Sequence, residues 1–234
     1  MAVFVCLHGA GGHGAYWDLV AGELAPLGHE VVAPDLPCDR EVGLDAYVDT
    51  AVAAIGDRRD DVVLVAQSLA GLVAPLVATR VDVDVMVLVA AMVPRPGEPG
   101  GEWWAATGHE QAFAAQDLPD DSPETVFVHD VPPEVLAAFP PPRDQTATLF
   151  EEPWPLDAWP DVPTRFIACR DDRFFPAAWL RGVVRDRLGI EPAEIPGGHC
   201  AFLSRPRALA AALVDCWVGR TGDAAAASRA RPRR

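Results

Sequence analysis

The chain has 234 residues, 50% of them apolar and 23% charged, which suits a single globular domain with one sizeable core. Its formal net charge of −15 argues against nucleic acid as a partner and against strongly anionic substrates. It contains no lysine, so Schiff-base and lysine-base chemistry are excluded, and no apolar run approaches the roughly 18–20 residues that span a bilayer.

The first residues enter a strand at once, with no basic stretch or cleavage site of a signal peptide. The five cysteines (6, 38, 169, 200, 216) are scattered and odd in number. They read as reduced thiols, and the expected location is cytoplasmic.

Residues 2–7 read as a buried strand running into a loop of Gly, Ala and His over 8–15. Trp17, Val20, Leu24 and Leu27 recur at helical spacing, and Gly28 ends that helix. Glu30 to Ala33 form the next strand, stopped by Pro34. Leu44 to Ile55 form a second amphipathic helix. Residues 62–66 are an apolar strand that halts at Gln67-Ser68, with a helix expected over about 69–79. Val85 to Ala90 are another apolar strand.

Regularity breaks after Met92. Residues 93–163 are rich in Pro, Asp, Glu and aromatics, with short helices expected near 103–115, 123–128 and 132–139. So long a connection reads as an inserted lid over the carboxyl ends of the strands. His13, Trp103 and Trp104 are the expected pocket residues. Beyond it come a strand at 164–169, a helix over about 176–188, a strand at 193–195 and a helix over 205–218. Residues 219–234, with four consecutive alanines and a basic end, read as a disordered tail outside a single domain of 1–218.

Strands apolar throughout and separated by helices predict an α/β fold: a mostly parallel sheet of about six strands, covered on both faces.

The chemistry gathers at three places. Ala66-Gln67-Ser68-Leu69-Ala70-Gly71 has the small neighbours that a tight strand-to-helix turn needs around a nucleophile. His199, after Pro196-Gly197-Gly198, is the candidate base, brought over the turn by a flexible loop. Asp172 or Asp171 is the candidate acid that orients it. His8 is expected to order the glycine-rich loop. His129-Asp130 is a possible metal pair without a third ligand at suitable spacing, so a structural hydrogen bond is expected there, and no metal or cofactor is implied.

His8-Gly9-Ala10 followed by Trp17, the Ser68 segment, Asp172-Arg173-Phe174-Phe175-Pro176 and Gly197-Gly198-His199 together resemble the α/β-hydrolase superfamily across residues 2 to about 218. Within it they resemble the plant methyl-ester esterases and hydroxynitrile lyases and their bacterial relatives. The resemblance implies a Ser68–His199–Asp172 triad, with the Ala10 and Leu69 N–H groups as an oxyanion hole. The implied activity is hydrolysis of small carboxylic esters with an apolar or aromatic part. Lactone, amide or C–C bond hydrolysis, cyanohydrin cleavage and a non-catalytic ligand-binding role are the alternatives. The lyases carry Thr after the first His and Lys after the catalytic His, where this chain has Gly9 and Cys200.

Overall fold

In the computed structural model, which describes residues 1–230, six parallel strands form one sheet. They are β1 (Val3–Leu7), β2 (Glu30–Val32), β3 (Val62–Gln67), β4 (Val85–Val89), β5 (Thr164–Cys169) and β6 (Ala193–Ile195), ordered β2-β1-β3-β4-β5-β6. The three strands β1, β3 and β4 are buried along their whole length, as continuous apolar runs require.

Side chains alternate between two cores. Val3, Val5 and Leu7 of β1 join Leu64 and Leu88 on one face; Phe4 and Cys6 join Val65 and Val87 on the other. The first face is covered by α2 (Leu44–Ile55), α3 (Ala74–Val77) and α9 (Ala177–Leu188), the second by α1 (Asp18–Leu24) and α11 (Pro206–Ala230).

Between β4 and β5 the 93–163 insertion holds five short helices among the described residues: α4 (Trp103–Thr107), α5 (His109–Ala114), α6 (Pro123–Val126), α7 (Pro133–Ala138) and α8 (Thr148–Glu151). Another short helix, α10 (Ala201–Ser204), follows His199. Among the described residues no helix is long and apolar enough to cross a membrane.

Several boundaries differ from expectation for local reasons. The helix after Ser68 starts as a 3-10 turn over Ser68–Leu72 and resumes as α3, with Pro75, which has no N–H to donate, in its first turn. The expected 103–115 helix breaks in two at Gly108, whose φ is +68°. Leu27 lies in a 3-10 turn and is 60% exposed, not on the buried face. Helix α11 continues through Ala230, so residues 219–230 of the expected tail are helical; alanine is the strongest helix former. The rest of that tail, 231–234, lies outside the described residues.

Gly71 shows how tightly the turn is packed. A Cβ there would lie 2.0 Å from the Met92 carbonyl oxygen, and Met92 N–H donates to Ser68 O at 2.9 Å. The backbone leaving β4 is thus laid against the turn leaving β3. Gly71→Ala should lower the unfolding free energy by roughly 1–3 kcal/mol, the usual cost of overpacking. Urea unfolding checks this; an unchanged midpoint would mean that residues 90–92 move aside freely.

Candidate active site

Strands β1 and β3 lie side by side, but the chain leaves β1 toward β2 on one side and β3 toward β4 on the other. Such a reversal opens a crevice at the carboxyl ends of the two strands. The glycine-rich loop follows Leu7 there, and Ser68 follows Gln67.

Ser68 has φ +55°, a left-handed angle that non-glycine residues rarely adopt. It is held by close backbone packing. Besides Gly71, Gly9 passes so near that a Cβ on it would lie 2.8 Å from Ser68 Cβ and 2.4 Å from Gln67 Oε1. The hydroxyl lies 3.0 Å from His199 Nε2.

His199 Nδ1 lies 2.8 Å from Asp172 Oδ2. With that carboxylate as acceptor, Nδ1 carries the proton, which leaves Nε2 free to accept from Ser68 Oγ. The other oxygen, Asp172 Oδ1, accepts the N–H groups of Phe174 and Phe175, each at 2.8 Å. Gln67 Nε2 donates to the His199 carbonyl at 3.2 Å. Ser68, His199 and Asp172 are all buried. Chemically, the arrangement can pass a proton from a serine hydroxyl to an imidazole whose tautomer is fixed from behind.

Asp171 has a separate role. Its Oδ2 accepts from Gly197 N–H at 2.9 Å, and its own N–H donates to Gly197 O at 3.0 Å. Its ion pair with Arg170 is long, at 4.0 Å, and both partners are exposed. The insertion braces the same loops: His129 Nε2 contacts Asp171 O at 3.0 Å, and Asp130 Oδ2 accepts Gly198 N–H at 2.9 Å. His129 therefore makes a structural hydrogen bond. Among the described residues no three His, Cys, Asp or Glu side chains are grouped to hold a metal ion.

At the glycine-rich loop, His8 Nε2 accepts from Leu36 N–H at 2.9 Å, so its Nδ1–H donates to Gly9 O at 2.7 Å. Burial lowers the His8 pKa from 6.5 to about 4, which keeps the ring neutral at neutral pH. Ala10 is exposed at the head of this loop, and among the described residues its N–H donates to no acceptor. Leu69 is the second residue of a 3-10 helix, where the N–H has no partner inside the helix.

The expected pocket residues fare differently. Trp103 is fully enclosed, and its indole N–H donates to Val93 O at 3.0 Å. It packs into the core on the first face of the sheet, against Phe175 and Trp179, and presents no surface to a ligand, which corrects the expectation. Trp104 packs against His109, Phe174 and Phe175, one layer behind His199. His13 Nε2 contacts Pro141 O at 3.0 Å and ties the glycine-rich loop to the insertion. The rings that face His199 are Phe127, Phe174 and Phe175, with centroids 5.6, 5.1 and 5.1 Å away. Their position beside Asp172 was the only sequence signal for the last two.

A parallel sheet with a serine at a strained strand-to-helix turn, and an acid and a histidine supplied by later loops, defines a class of hydrolase fold. Residues 4–212 match the model of the alpha/beta hydrolase family, and the chain belongs to that family.

Solved structures of similar fold include a pyrethroid hydrolase from Sphingobium faniae JZ-2. It is 21% identical, with a TM-score of 0.76, and the match covers 94% of this chain and 99% of that one. Polyneuridine aldehyde esterase is 21% identical, with a TM-score of 0.75 and coverage of 92% and 98%. An extracellular alpha/beta-hydrolase from a Paenibacillus species is 23% identical, with a TM-score of 0.73 and coverage of 92% and 99%. A comparison with curated protein sequences returned no match.

The buried His8 makes stability sensitive to acid. Its folded pKa lies below the unfolded value, so between those values the unfolded chain binds more protons and stability falls as pH falls. The stability advantage of the wild type over His8→Gln should shrink by about 2 kcal/mol from about pH 7 to about pH 5. Urea titrations of both proteins at each pH measure it; a constant difference would mean that His8 has the same pKa in the folded and unfolded chains.

Proposed function

We propose that the protein is a serine carboxylesterase acting through a Ser68–His199–Asp172 triad. The observation that carries the proposal is the continuous hydrogen-bonded path from Ser68 Oγ through both nitrogens of His199 to Asp172. Ser68 Oγ attacks the ester carbonyl while His199 Nε2 takes its proton. Asp172 holds the imidazolium. The Ala10 and Leu69 N–H groups receive the tetrahedral oxyanion. His199 returns the proton to the leaving alcohol, and a water deprotonated by His199 then releases the acyl group from Ser68.

Phe127, Phe174 and Phe175 around His199 support a substrate with an apolar or aromatic part. In this proposal, residues 1–218 are the catalytic domain and 93–163 its lid. The free cysteines suit a cytoplasmic setting. Polyneuridine aldehyde esterase and the pyrethroid hydrolase, of similar fold, also favour a small ester substrate.

Ser68→Ala should abolish turnover of short-chain aryl esters, with a loss on the order of 10⁶-fold. Asp172→Asn tests the acid. Its oxygen must still accept from Phe174 and Phe175, so its NH₂ group faces His199 Nδ1 and forces the proton to Nε2. The expected loss in kcat is about 10⁴-fold. Asp171→Asn keeps an oxygen for Gly197 and should cost less than about tenfold, as exposed substitutions do. Steady-state kinetics on the three variants decide it. Activity of Ser68→Ala above about one per cent would remove the serine mechanism, and a larger loss at Asp171 than at Asp172 would reassign the acid.

Cyanohydrin cleavage is disfavoured by what the chain lacks: Gly9 and Cys200 stand where the lyases carry Thr and Lys, and the chain has no lysine at all. No enzyme-dependent cyanide release from mandelonitrile is expected. Saturable release in a colorimetric cyanide assay would overturn the esterase reading.

A further inference from the structure

Arg143 lies in the insertion, in the irregular run between α7 and α8, yet its guanidinium ends in the glycine-rich loop after β1. Nε and Nη2 both donate to Gly12 O, at 3.0 and 2.6 Å. Nη2 also donates to Leu36 O at 2.9 Å. With its two hydrogens spent on these carbonyls, Nη2 lies 3.1 Å from His8 Nε2, the nitrogen that accepts from Leu36 N–H. The Arg143 main-chain N–H adds a bond to Gly11 O at 2.8 Å, and Gln145 Oε1 accepts from Gly11 N–H at 3.3 Å. The side chain is only 20% exposed, and its ion-pair partner, Asp39, is 3.9 Å away. A guanidinium placed so seldom at a carboxylate and so often at loop carbonyls acts on the loop.

The loop atom that matters is one peptide away. Gly9 O accepts from His8 Nδ1–H at 2.7 Å and from Gly12 N–H at 3.2 Å. The Gly9–Ala10 peptide is planar and trans, so fixing its carbonyl also fixes the Ala10 N–H, which points the opposite way. Arg143 holds both ends of this arrangement. It anchors Gly12, whose N–H bonds Gly9 O, and it clamps Leu36, whose N–H keeps His8 in the tautomer that donates to Gly9 O.

We propose that Arg143 is a positioning residue for the oxyanion hole: through Gly12, Leu36 and His8 it aims the Ala10 N–H at the developing oxyanion. The site is therefore complete only when the insertion is seated. The proposal rests on the esterase reading above.

The test compares wild type, Arg143→Gln and Arg143→Lys on a matched pair of substrates, a p-nitrophenyl ester and its thiono analogue, in which C=S replaces C=O. Sulfur takes little from oxyanion-hole donors, so a misplaced N–H shows as a selective loss on the oxo ester. Rates are normalised to the concentration of Ser68 titrated by a fluorophosphonate, which removes any unfolded fraction. For Arg143→Gln, kcat on the oxo ester should fall by roughly ten- to a hundredfold, less than the loss of a whole donor, with KM within about threefold. The thiono ester should lose less than about threefold. Lysine retains the charge but lacks the planar fork that reaches two carbonyls at once, so it should reproduce the defect.

Normalised kcat values within about threefold of wild type, or equal losses on both substrates, would overturn the positioning role. If wild type neither labels at Ser68 nor turns over the oxo ester, the esterase reading falls first and takes this proposal with it. If wild type is active and only the Arg143 comparison fails, the esterase reading stands without it.

Discussion

An L-residue keeps a left-handed backbone angle only where its surroundings leave no alternative, and Ser68 is such a residue. Two close approaches supply the constraint. The backbone after β1 passes at Gly9, and the backbone after β4 is laid on Gly71 and bonded to Ser68 O through Met92 N–H. Both follow from the parallel sheet, whose register sets Leu7 opposite Ala66 and Gln67 opposite Val89. Three neighbouring strands therefore end at nearly the same level, and their loops must share the space above. Small residues at 9, 66, 70 and 71 make that possible.

The insertion reaches the site through polar contacts as well as aromatic ones. Arg143 holds the loop after β1, while His129 and Asp130 hold the loops that carry Asp172 and His199. Its two ends are joined at the root. Trp103 Nε1 and Arg187 Nη1 both donate to Val93 O, Arg187 is paired with Glu98, and Trp154 N–H donates to Glu98 O. Arg187 and Glu98 are both nearly buried, so removing either partner would leave a charge in a poorly hydrated setting. The root is consequently a fixed point, and the segments around 127–130 and 143–145 are presented from it.

What could be read from the chain was whatever local pattern or order encodes. Continuous apolar runs marked β1, β3 and β4, and small neighbours marked the turn at Ser68. The residues alone left Asp171 and Asp172 open, and only the family resemblance pointed to Asp172; in the structure Asp172 lies against His199 while Asp171 bonds Gly197. Arg143 was illegible because its run, Pro140-Pro141-Pro142-Arg143-Asp144-Gln145, has no period, and its partners lie more than a hundred residues away. Trp103 was misplaced for a related reason. Aromatic content shows that a segment buries surface, but the direction of each ring depends on contacts such as the one to Val93 O. The breaks at Pro75 and Gly108 were visible as residues, yet whether such a residue ends a helix or only bends it depends on packing.

The loop bearing His199 corrects a more general inference. Gly197-Gly198 before a histidine invites the reading that glycine supplies flexibility. Here Gly197 takes φ +113°, and a Cβ on Gly198 would lie 2.8 Å from Asp130 Oδ1 and 2.9 Å from His129 Nε2. Both amides are held by carboxylates, Gly197 by Asp171 and Gly198 by Asp130. The glycines therefore serve close approach: they let two acidic side chains from different parts of the chain bond the backbone immediately before the imidazole. An imidazole that lies 3.0 Å from a serine hydroxyl is placed better by a loop pinned on both sides than by one free to move.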